Sequence, residues 1–480
     1  MTSMLKLKQL SLLLGGLGLS TLPLIVAASD WIVIPGLTLE QSYSDNALLS
    51  NDDKVDESIT VVRPSLSLYR QGGRASVDFN YAPEYRRYWR QTEDDELVHF
   101  LRAEGNVELL EDHLFLDGWA TADMTDITST ARTGLGGLTG RAGATEIYTA
   151  GFSPYFKSRM GSISLFEARY TVDSISYSSD ILDDSVGQRA DLVLGSGSAF
   201  TSQAWEIAAL YNQVDYEQLE ENNEVSQFRL EFVQQLIRQL AVGFAAGYEE
   251  YNLALNQDTD DSLWSVGIIY TPNIRTKLAI GGGERVFGKD YYLDFSHRSQ
   301  RTVWTANYKR DYISAREELS QPNLFQRTDV FGNMVRNPIL ENPLEVERGG
   351  TPRVGAEYYK LELFDTRFTL MTGRTTLTLG GGRTERIYEN EIENTRDLNF
   401  VAWLVREISP RISTYLRVTG RDHEEIALNY TQWVSALGGS VQLGNHTSVG
   451  GRLAHLTRDA EIEVDSYEEN SVNIYLTAEF

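Results

Sequence analysis

Residues 471–480 read SVNIYLTAEF, and this stretch decides the fold. Every second position is apolar, namely Val472, Ile474, Leu476, Ala478 and Phe480. The positions between them are polar, namely Asn473, Tyr475, Thr477 and Glu479. Successive side chains of a strand point to opposite faces, so the segment predicts a strand with one apolar and one polar face. Strands of this kind occur both in soluble sheets and in membrane-spanning barrels.

The N-terminus has the pattern of an export signal. Lys6 and Lys8 provide positive charge, residues 10–25 are mostly apolar, and small residues follow at 26–28. We therefore predict a signal peptide over residues 1–28 that is cleaved after Ala28. A transmembrane anchor is the alternative, but three glycines and Pro23 interrupt the apolar stretch.

The composition excludes several classes of protein. The chain has no cysteine, so it has no disulfide, thiol nucleophile or cysteine-ligated metal. Its net charge of −25 becomes −27 once the two lysines of the signal are removed, which argues against nucleic-acid binding because that needs a basic surface. The mature chain lacks the roughly 20 consecutive apolar residues of a membrane helix, yet it holds 25 Tyr, 18 Phe and 8 Trp. These features fit a barrel whose strands put only alternate residues into lipid.

The chain consists of runs of residues that alternate in polarity, as residues 471–480 do. Short and long connectors alternate between these runs. Short connectors rich in Gly, Pro, Asn and Ser lie at 71–74, 111–112, 157–159, 272–274, 298–300, 372–374, 409–411 and 444–446. Longer polar connectors lie near 43–58, 89–97, 125–143, 178–187, 217–224, 255–261, 314–354, 389–396, 423–428 and 458–466. This rhythm is typical of outer-membrane barrels with short periplasmic turns and long external loops.

We therefore predict an all-β fold over residues 29–480, a transmembrane up-and-down antiparallel β-barrel of about 22 strands (range about 18–24). The expected location is the outer membrane of a Gram-negative cell, and an even strand count puts both termini in the periplasm. The C-terminal strand would close the barrel, with Leu476, Ala478 and Phe480 as the signal read by the barrel-assembly machinery. No large N-terminal plug is expected, because strand-like sequence begins within a few residues of Ala28.

Acidic and basic residues are divided between the two kinds of connector. The long connectors are acidic, for example at 52–57, 93–96, 258–261 and 459–465. The short connectors are basic, for example at Arg74, Lys157, Arg275 and Arg374. We interpret the acidic rim as the outer face, where divalent cations would bridge carboxylates to lipopolysaccharide phosphates. Simple solvated loops are the alternative. Outer-membrane lipid and lipopolysaccharide are the expected partners.

Three runs, 225–233, 302–309 and 412–421, indicate which residues line the lumen. In each of them charged side chains occupy the parity opposite to the apolar one. An unpaired charge that faces lipid at mid-depth costs about 2–4 kcal/mol, so the charged parity should face the interior. The candidate lumen-facing residues are Arg229, Glu231, Lys309, Tyr415, Arg417 and Arg421. The run 398–407 cannot be oriented, because Val401 and Trp403 share a parity with Asn399 and Glu407.

The segment 315–353 is the candidate constriction of the pore. A barrel of this size is too wide for its own side chains to fill. The segment carries four prolines and no sustained alternation, and long structureless loops are uncommon in compact domains. We predict an ordered lid inside the lumen, with a disordered external loop as the alternative.

The sequence contains no recognisable catalytic motif. None of its six histidines has the spacing of a zinc ligand, and no nucleophile elbow, phosphate loop or dinucleotide fingerprint is present. We predict no enzyme activity, no cofactor and no metal site. The triplets Gly281–Gly283 and Gly380–Gly382 are interpreted as close-packing points within strands.

Several runs resemble a family of outer-membrane β-barrels associated with the PEP-CTERM/exosortase system of Gram-negative bacteria. They are SYSDN (42–46), RPSLSLYRQGGRASVDFNYAPEYRRY (63–88), ELLEDHLFLDGWA (108–120), SPYFKSRMGSISLFEARYT (153–171), YYLDFSHRSQRTVWTANYKRD (291–311) and TGRTTLTLGGGRTER (372–386). The resemblance implies a role in exopolysaccharide export, with polysaccharide export components as partners, and it assigns no functional residue.

Three functions stay open at this point: a pore for exopolysaccharide or another secreted product, a diffusion porin for small solutes, and a structural barrel without transport. Tyr415, Arg417 and Arg421 suit the stacking of sugars and the binding of acidic groups. They suit the lining of a general porin equally well.

Overall fold

The structure is a computed structural model that describes residues 31–128, 131–320, 355–389, 394–426 and 428–480. The predicted signal peptide, with its cleavage site after Ala28, lies outside these residues. So does most of the segment 315–353, of which residues 315–320 are described.

The described chain is built almost entirely from β-strands. In chain order they are β1 (Trp31–Ser44), β2 (Glu57–Gln71), β3 (Ala75–Tyr81), β4 (Glu84–Tyr88), β5 (Glu96–Val98), β6 (Leu101–Leu110), β7 (Leu114–Asp126), β8 (Ala144–Met160), β9 (Ser164–Tyr177), β10 (Ser185–Ser196), β11 (Gln203–Tyr216), β12 (Asn223–Ile237), β13 (Leu240–Asn252), β14 (Thr259–Asn273), β15 (Thr276–Arg285), β16 (Gly288–Arg298), β17 (Thr302–Ser314), β18 (Tyr358–Thr372), β19 (Thr375–Tyr388), β20 (Thr395–Ser409), β21 (Ile412–Glu425), β22 (Tyr430–Gln442), β23 (Thr447–Ala460) and β24 (Tyr467–Glu479).

The described chain also holds short helical segments. One α-helix, α1 (Ala315–Ser320), follows β17, and single 3-10 turns lie at Leu135–Gly137, Arg141–Gly143 and Glu463–Asp465. No helix within the described ranges has the length and the apolar character needed to cross a membrane.

The 24 segments form a closed antiparallel barrel of 22 strands. β3 and β4 both pair with β2 and are one strand interrupted at Ala82 and Pro83. β5 and β6 likewise form one strand, because they pair with β4 and β3. The strand at 467–479 pairs with β1 from Gly36↔Glu479 to Ser44↔Ser471 and closes the sheet. The predicted fold class and strand number are therefore confirmed.

The connectors divide between the two ends of the barrel largely as predicted. We call the end that carries the short connectors, the start of β1 and the end of β24 the short-turn end, and the opposite end the long-loop end. Two details differ. The predicted turn at 157–159 lies inside β8, and the chain turns at 161–163 instead. At the long-loop end, β15 and β16 are joined by only two residues, Val286 and Phe287.

Contacts that cross the interior identify the inward face of several strands. Arg316 of α1 binds Asp173 of β9 and Ser185 of β10, although β17 and β10 are separated by six strands. On β12, Val225 packs inward with Tyr251 and Tyr358. The residues of the other parity, Phe228, Leu230 and Phe232, face outward and are 45%, 43% and 40% exposed. The outer wall is therefore apolar where lipid would contact it, and the inner wall is polar.

The sidedness of the barrel can be tested with epitope tags. If the long-loop end faces outward, a tag after Asp94 or in the loop before Asp260 should be accessible to antibody on intact cells. A tag at Gly72 or Gly373 should bind antibody only after the cells are permeabilised. Because β14 begins at Thr259, the second insertion belongs at Gln257 rather than at Asp260. Labelling of intact cells at Gly72 but not at Asp94 would reverse the topology.

Candidate functional site

Two elements fold into the barrel at its long-loop end, and together they define the candidate site. The first is the inward loop, residues 131–143 between β7 and β8. The second is α1, which begins the connector after β17. They occupy opposite sides of the lumen: the inward loop contacts β4, β23 and β24, whereas α1 contacts β9, β10 and β19. They narrow the same end of the barrel from two sides.

The inward loop is attached to the seam where the barrel closes. The buried carboxylate of Glu469, on β24, accepts hydrogen bonds from the backbone N–H of Leu135 at 2.7 Å and the hydroxyl of Thr139 at 2.9 Å. Its Oε1 also accepts a bond from the Ser44 hydroxyl of β1 at 2.6 Å. A buried carboxylate is costly unless it is hydrogen-bonded, so these three donors hold the loop and the two closing strands together.

Apolar packing holds the same loop more firmly. Leu135 packs in a cluster with Leu49, Ala436, Ala454, Leu456 and Tyr467. Leu138 packs against Ile59, Val61 and Tyr88, and its carbonyl accepts a 2.9 Å bond from the Tyr88 hydroxyl. Because fully burying one leucine stabilises by about 1.5–3 kcal/mol, these two side chains make the inward loop a fixed part of the wall.

Apolar packing and ion pairs both hold α1. Ala315 lies in a buried cluster with Ile313 and Tyr359, and Leu319 packs against a cluster that includes Ile147 and Ile175. The Arg316 guanidinium donates to Asp173 Oδ2 at 2.6 Å and to Ser185 Oγ at 2.9 Å. Glu318 receives two bonds from Arg386 of β19, at 2.7 Å and 3.1 Å. We call these two ion pairs the α1 anchors. A helix of six residues is unstable by itself in water, so the position of α1 depends on such contacts.

The second anchor continues into a buried network on the wall. Arg386, which is 1% exposed, lies 3.5 Å from Asp397 of β20. Asp397 also accepts a 2.8 Å bond from Arg421 and lies 2.8 Å from Nδ1 of His423. Arg386 therefore keeps a carboxylate neighbour even when Glu318 moves away. Loss of α1 from the lumen would not leave a lone buried charge on this wall.

Glu317 is the buried acid of α1. Its Oε1 accepts bonds from Asn212 of β11 at 3.3 Å and from the Tyr358 hydroxyl of β18 at 3.2 Å. Burial raises the pKa of Glu317 to about 7, with a further contribution from the negative charge of Asp311, while Arg189 acts in the opposite direction. The inward position of α1 therefore favours the protonated form of this carboxyl.

Conductance should consequently depend on pH. The pKa of Glu317 is about 7 when α1 lies in the lumen, and it is 4.5 for a hydrated glutamate. The stabilisation of inward α1 by protonation is therefore complete below pH 4.5 and is lost as the pH rises through 7. Raising the pH from about 5 to about 8 should increase the single-channel conductance of the purified protein. The variant Glu317→Gln should stay at the low-pH conductance throughout. A wild-type profile independent of pH would contradict this assignment.

The six predicted lumen residues all lie on inward parities. Arg229 and Glu231 form an ion pair on β12, and Lys309 lies on β17. On β21 the Arg417 guanidinium lies 5.6 Å from the ring centre of Trp403, and Arg421 binds Asp397. Tyr415 packs edge-on to Trp403 at 6.2 Å. Arg421 is connected to α1 through Asp397 and Arg386, which binds Glu318. Arg229, Glu231 and Lys309 are not among the residues of this network.

The structure orients the run 398–407, which the sequence could not. Phe400 and Leu404 face outward and are about 40% exposed, whereas Val401 and Trp403 are buried on the inner side. Sequence reasoning also missed Asp397, Arg386 and Glu469 as buried groups at the constriction. Their partners lie on strands remote in sequence, so period-two alternation gave no sign of them.

Comparisons with known proteins show the fold. No protein-family model matches the sequence, and no curated protein matches it. Among solved structures, it is similar to the FrpB iron transporter from Neisseria meningitidis (F3-3 variant), with a TM-score of 0.53 and 10% identity over 94% of this chain and 81% of that one.

Two further solved structures are similar at the same level. A single-substitution variant of the ferric enterobactin receptor PfeA from Pseudomonas aeruginosa, in complex with enterobactin, gives a TM-score of 0.51 and 9% identity over 93% of this chain and 81% of that one. The siderophore receptor PirA from Acinetobacter baumannii gives a TM-score of 0.50 and 8% identity over 93% of this chain and 80% of that one. The chain has the fold of an outer-membrane β-barrel. At these identities the likeness concerns the fold alone.

Proposed function

We propose that the protein is a gated outer-membrane pore that passes a large hydrophilic product of the cell, exopolysaccharide in a PEP-CTERM/exosortase setting. The observation that carries the proposal is the way α1 is held. In the part of the chain that the structure describes, two elements narrow the polar lumen, and α1 is held by two ion pairs and by the packing of Ala315 and Leu319 rather than by strand pairing. Because α1 has only six residues and lies outside the sheet, it can leave the lumen by breaking these ion pairs and the packing of Ala315 and Leu319, without unfolding a strand.

The size of the barrel supports a large cargo. A barrel of 22 strands encloses far more space than its inward side chains fill. A diffusion porin for small solutes would need no element that can be displaced. A structural barrel without transport would be expected to fill its lumen with apolar packing. The inner walls of this barrel instead carry many ion pairs, including Arg169–Asp117, Arg189–Asp191 and Arg285–Glu249.

The cellular role extends the proposal to partners. The polymer would arrive from polysaccharide export components in the periplasm, where the short-turn end and both termini would lie. Outer-membrane lipid and lipopolysaccharide would surround the barrel, and the barrel-assembly machinery would insert it. The association with a PEP-CTERM/exosortase system rests on the sequence resemblance.

The decisive experiment compares polymer release with and without the protein. A strain that lacks the gene should retain exopolysaccharide in the periplasm and release less of it to the medium. Purified protein in planar bilayers should conduct ions, and added polymer should block the current. Normal export in the deletion strain, together with small-solute permeability lost, would support the diffusion porin instead. An unchanged envelope permeability and no conductance would support the structural barrel.

A further inference from the structure

Two rows of very small side chains cross the inner wall between β13 and β15. The residues of the other parity on these strands, such as Phe244, Ile268 and Ile280, face outward and are 45–50% exposed. Register pairs join the small residues into one row of Gly243, Gly267 and Gly281 and a second row of Ala245, Ser265 and Gly283. We call these six residues the bare floor. Glycine within a strand often marks a place where another group approaches the backbone closely.

The ring of Tyr292 lies flat on the bare floor. Tyr292 pairs with Gly281, and a Cβ placed on Gly281 would lie 2.5 Å from each of Cε1, Cζ and Oη of the ring. A point can be equally far from three adjoining ring atoms at this distance only if it lies off the ring plane. A Cβ on Gly267 would clash with the same hydroxyl, so the ring reaches from β16 across β15 to β14. One ring face therefore covers the floor and the other faces the lumen, where no further ring or cation among the described residues lies over it.

Carboxylates lie at both ends of the bare floor. Asp290 is the register partner of Gly283 at the β16 end, and Glu231 is the partner of Ala245 at the β12 end, with Glu206 of β11 beside it. Glu231 forms an ion pair with Arg229, whereas Glu206 and Asp290 form no ion pair with any described residue. Neighbouring strands lie about 4.8 Å apart, so the span from β12 to β16 is roughly 19 Å. This span accommodates more than one sugar ring of a chain.

The bare floor adjoins a cavity of about 820 Å³ on its β12 side. The lining of the cavity includes Glu206, Glu231 and Val233 near the floor, and Lys157 and Arg159 at its far side on β8. A volume of this size is in the range of ligand-binding cavities. The floor is therefore part of a concavity that has room for a ligand, rather than a flat stretch of wall.

The wall that carries the bare floor has an excess of negative charge. From β11 to β17, the inward positions hold seven carboxylates and five cations. The carboxylates are Glu206, Glu231, Glu249, Asp261, Asp290, Asp294 and Asp311. The cations are Arg229, Lys277, Arg285, Arg298 and Lys309. At their inward positions the flanking strands β10 and β18 each add one cation and one carboxylate, which cancel. This wall therefore repels an acidic polymer.

This chemistry fits a neutral saccharide chain. An aromatic ring presents a broad apolar face with partial negative charge, on which the C–H face of a sugar ring can stack. Beside the ring, Asp290 accepts hydrogen bonds from sugar hydroxyls, and Lys309 of β17, opposite Tyr292, donates to them. The Gly, Ala and Ser side chains of the floor leave room for a sugar ring to lie close to the wall. A small ion would make no use of the ring face.

The bare floor lies between the short-turn end and α1. On β11, Glu206 is six positions nearer to that end than Asn212, which binds Glu317 of α1. A polymer that enters at the short-turn end therefore reaches the floor before it reaches the constriction.

We propose that Tyr292 and the bare floor, with Glu206, Asp290 and Lys309, form a binding site for a neutral saccharide chain inside the lumen. The inference rests on the proposed function and adds to it the class of polymer and the place where the polymer binds. We name this site the glycine trough.

Equilibrium binding tests the glycine trough without requiring transport. The purified full-length protein, in a detergent without a sugar headgroup, should bind at least one of three neutral hexasaccharides in calorimetry, namely maltohexaose, cellohexaose and N-acetylchitohexaose. An alginate hexasaccharide should bind at least several-fold more weakly. Tyr292→Ala should weaken binding of the neutral hexasaccharide roughly tenfold, because the stacking surface is lost. Tyr292→Phe should bind as the wild type does, because the ring face remains. Tyr291→Ala, which alters the adjacent outward ring, should leave binding unchanged.

Filling the trough provides a second, independent variant. A Cβ on Gly243 would have no neighbouring atom nearer than 3.6 Å, so Gly243→Leu should fold, with its side chain on the floor beside Tyr292. The neutral hexasaccharide should then bind at least several-fold more weakly. Ala246→Leu, at an exposed outward position of the same strand, is the matched control and should bind as the wild type does.

A charge variant tests the specificity of the trough. Glu206→Gln/Asp290→Asn keeps an acceptor oxygen at both positions and removes both negative charges. The difference in affinity between the neutral hexasaccharide and alginate should therefore become smaller. Retention of the heat-modifiable folded form shows that each variant is intact.

The outcomes separate the glycine trough from the proposed function. If the wild type binds none of the three neutral hexasaccharides, or if Tyr292→Ala and Gly243→Leu bind as it does, the trough is wrong even if polymer export requires the protein. Equal or tighter binding of alginate by the wild type would overturn the neutral specificity. Binding that both variants lose would support the trough even if gene deletion leaves export intact.

Discussion

Replacing Arg316 and Glu318 together with alanine should raise the single-channel conductance several-fold. The two side chains form the α1 anchors, and their removal leaves a six-residue helix without its ionic attachments to β9 and β19. Arg386 retains Asp397 as a neighbour, so the wall itself should stay folded. The measurement is conductance in planar bilayers, and cells that carry the variant should also become sensitive to bulky antibiotics that the outer membrane normally excludes.

A matched pair on the same strand provides the control. Arg383 and Glu385 also form an ion pair on β19, but they lie on the outward parity together with Leu379. Their replacement by alanine should leave conductance and antibiotic sensitivity at wild-type values. If the α1 variant inserts normally and behaves like this control, α1 does not limit the pore, and the constriction lies at the inward loop or elsewhere.

Deleting Phe480 should sharply lower the amount of folded barrel in the outer membrane. The backbone N–H of Phe480 donates to the carbonyl of Pro35 at 2.9 Å, so the residue extends the pairing that closes β24 on β1. Its ring is 73% exposed on the outer surface, as expected of a side chain in contact with lipid or with an assembly factor. The measurement is the heat-modifiable fraction in isolated outer membranes.

Replacing Phe232 with alanine is the comparison for that deletion. Phe232 is an outward ring, 40% exposed, on a strand far from the seam. The substitution removes a similar lipid contact without touching the closure, so the folded yield should fall much less. Equal yields for the two variants would mean that Phe480 acts only as one lipid anchor among many. Leu476 and Ala478 would then lose their proposed role in assembly as well.

Much of the barrel follows from local sequence, because its signals have a short range. Alternation with a period of two identified the strands at 225–233, 302–309, 412–421 and 471–480. The regular exchange of short and long connectors then led to the strand number that the closed sheet shows. Errors occurred where local signals are weakest, as at 157–159, where a basic stretch inside β8 resembles a turn.

The candidate site depended on contacts between residues far apart in the chain. Arg316 and Asp173 are 143 positions apart, and Leu135 and Glu469 are 334 apart. Nothing in the residues around Glu469 distinguishes it from the other acids of the long-loop end. Only the closed barrel brings β24 beside the inward loop, and that proximity makes Glu469 a buried acceptor rather than a solvated carboxylate.

The sequence by itself determined the fold class, the strand number and the parity of the regular strands, since each depends on residues a few positions apart. It also predicted that residues 315–353 enter the lumen; residues 315–320 do lie there, and the rest of that segment lies outside the described residues. Only the tertiary structure decided which walls hold α1 and how Trp403 is oriented. The sequence of a strand determines the face on which each side chain lies. The residues that this side chain contacts depend on the register and closure of the whole sheet.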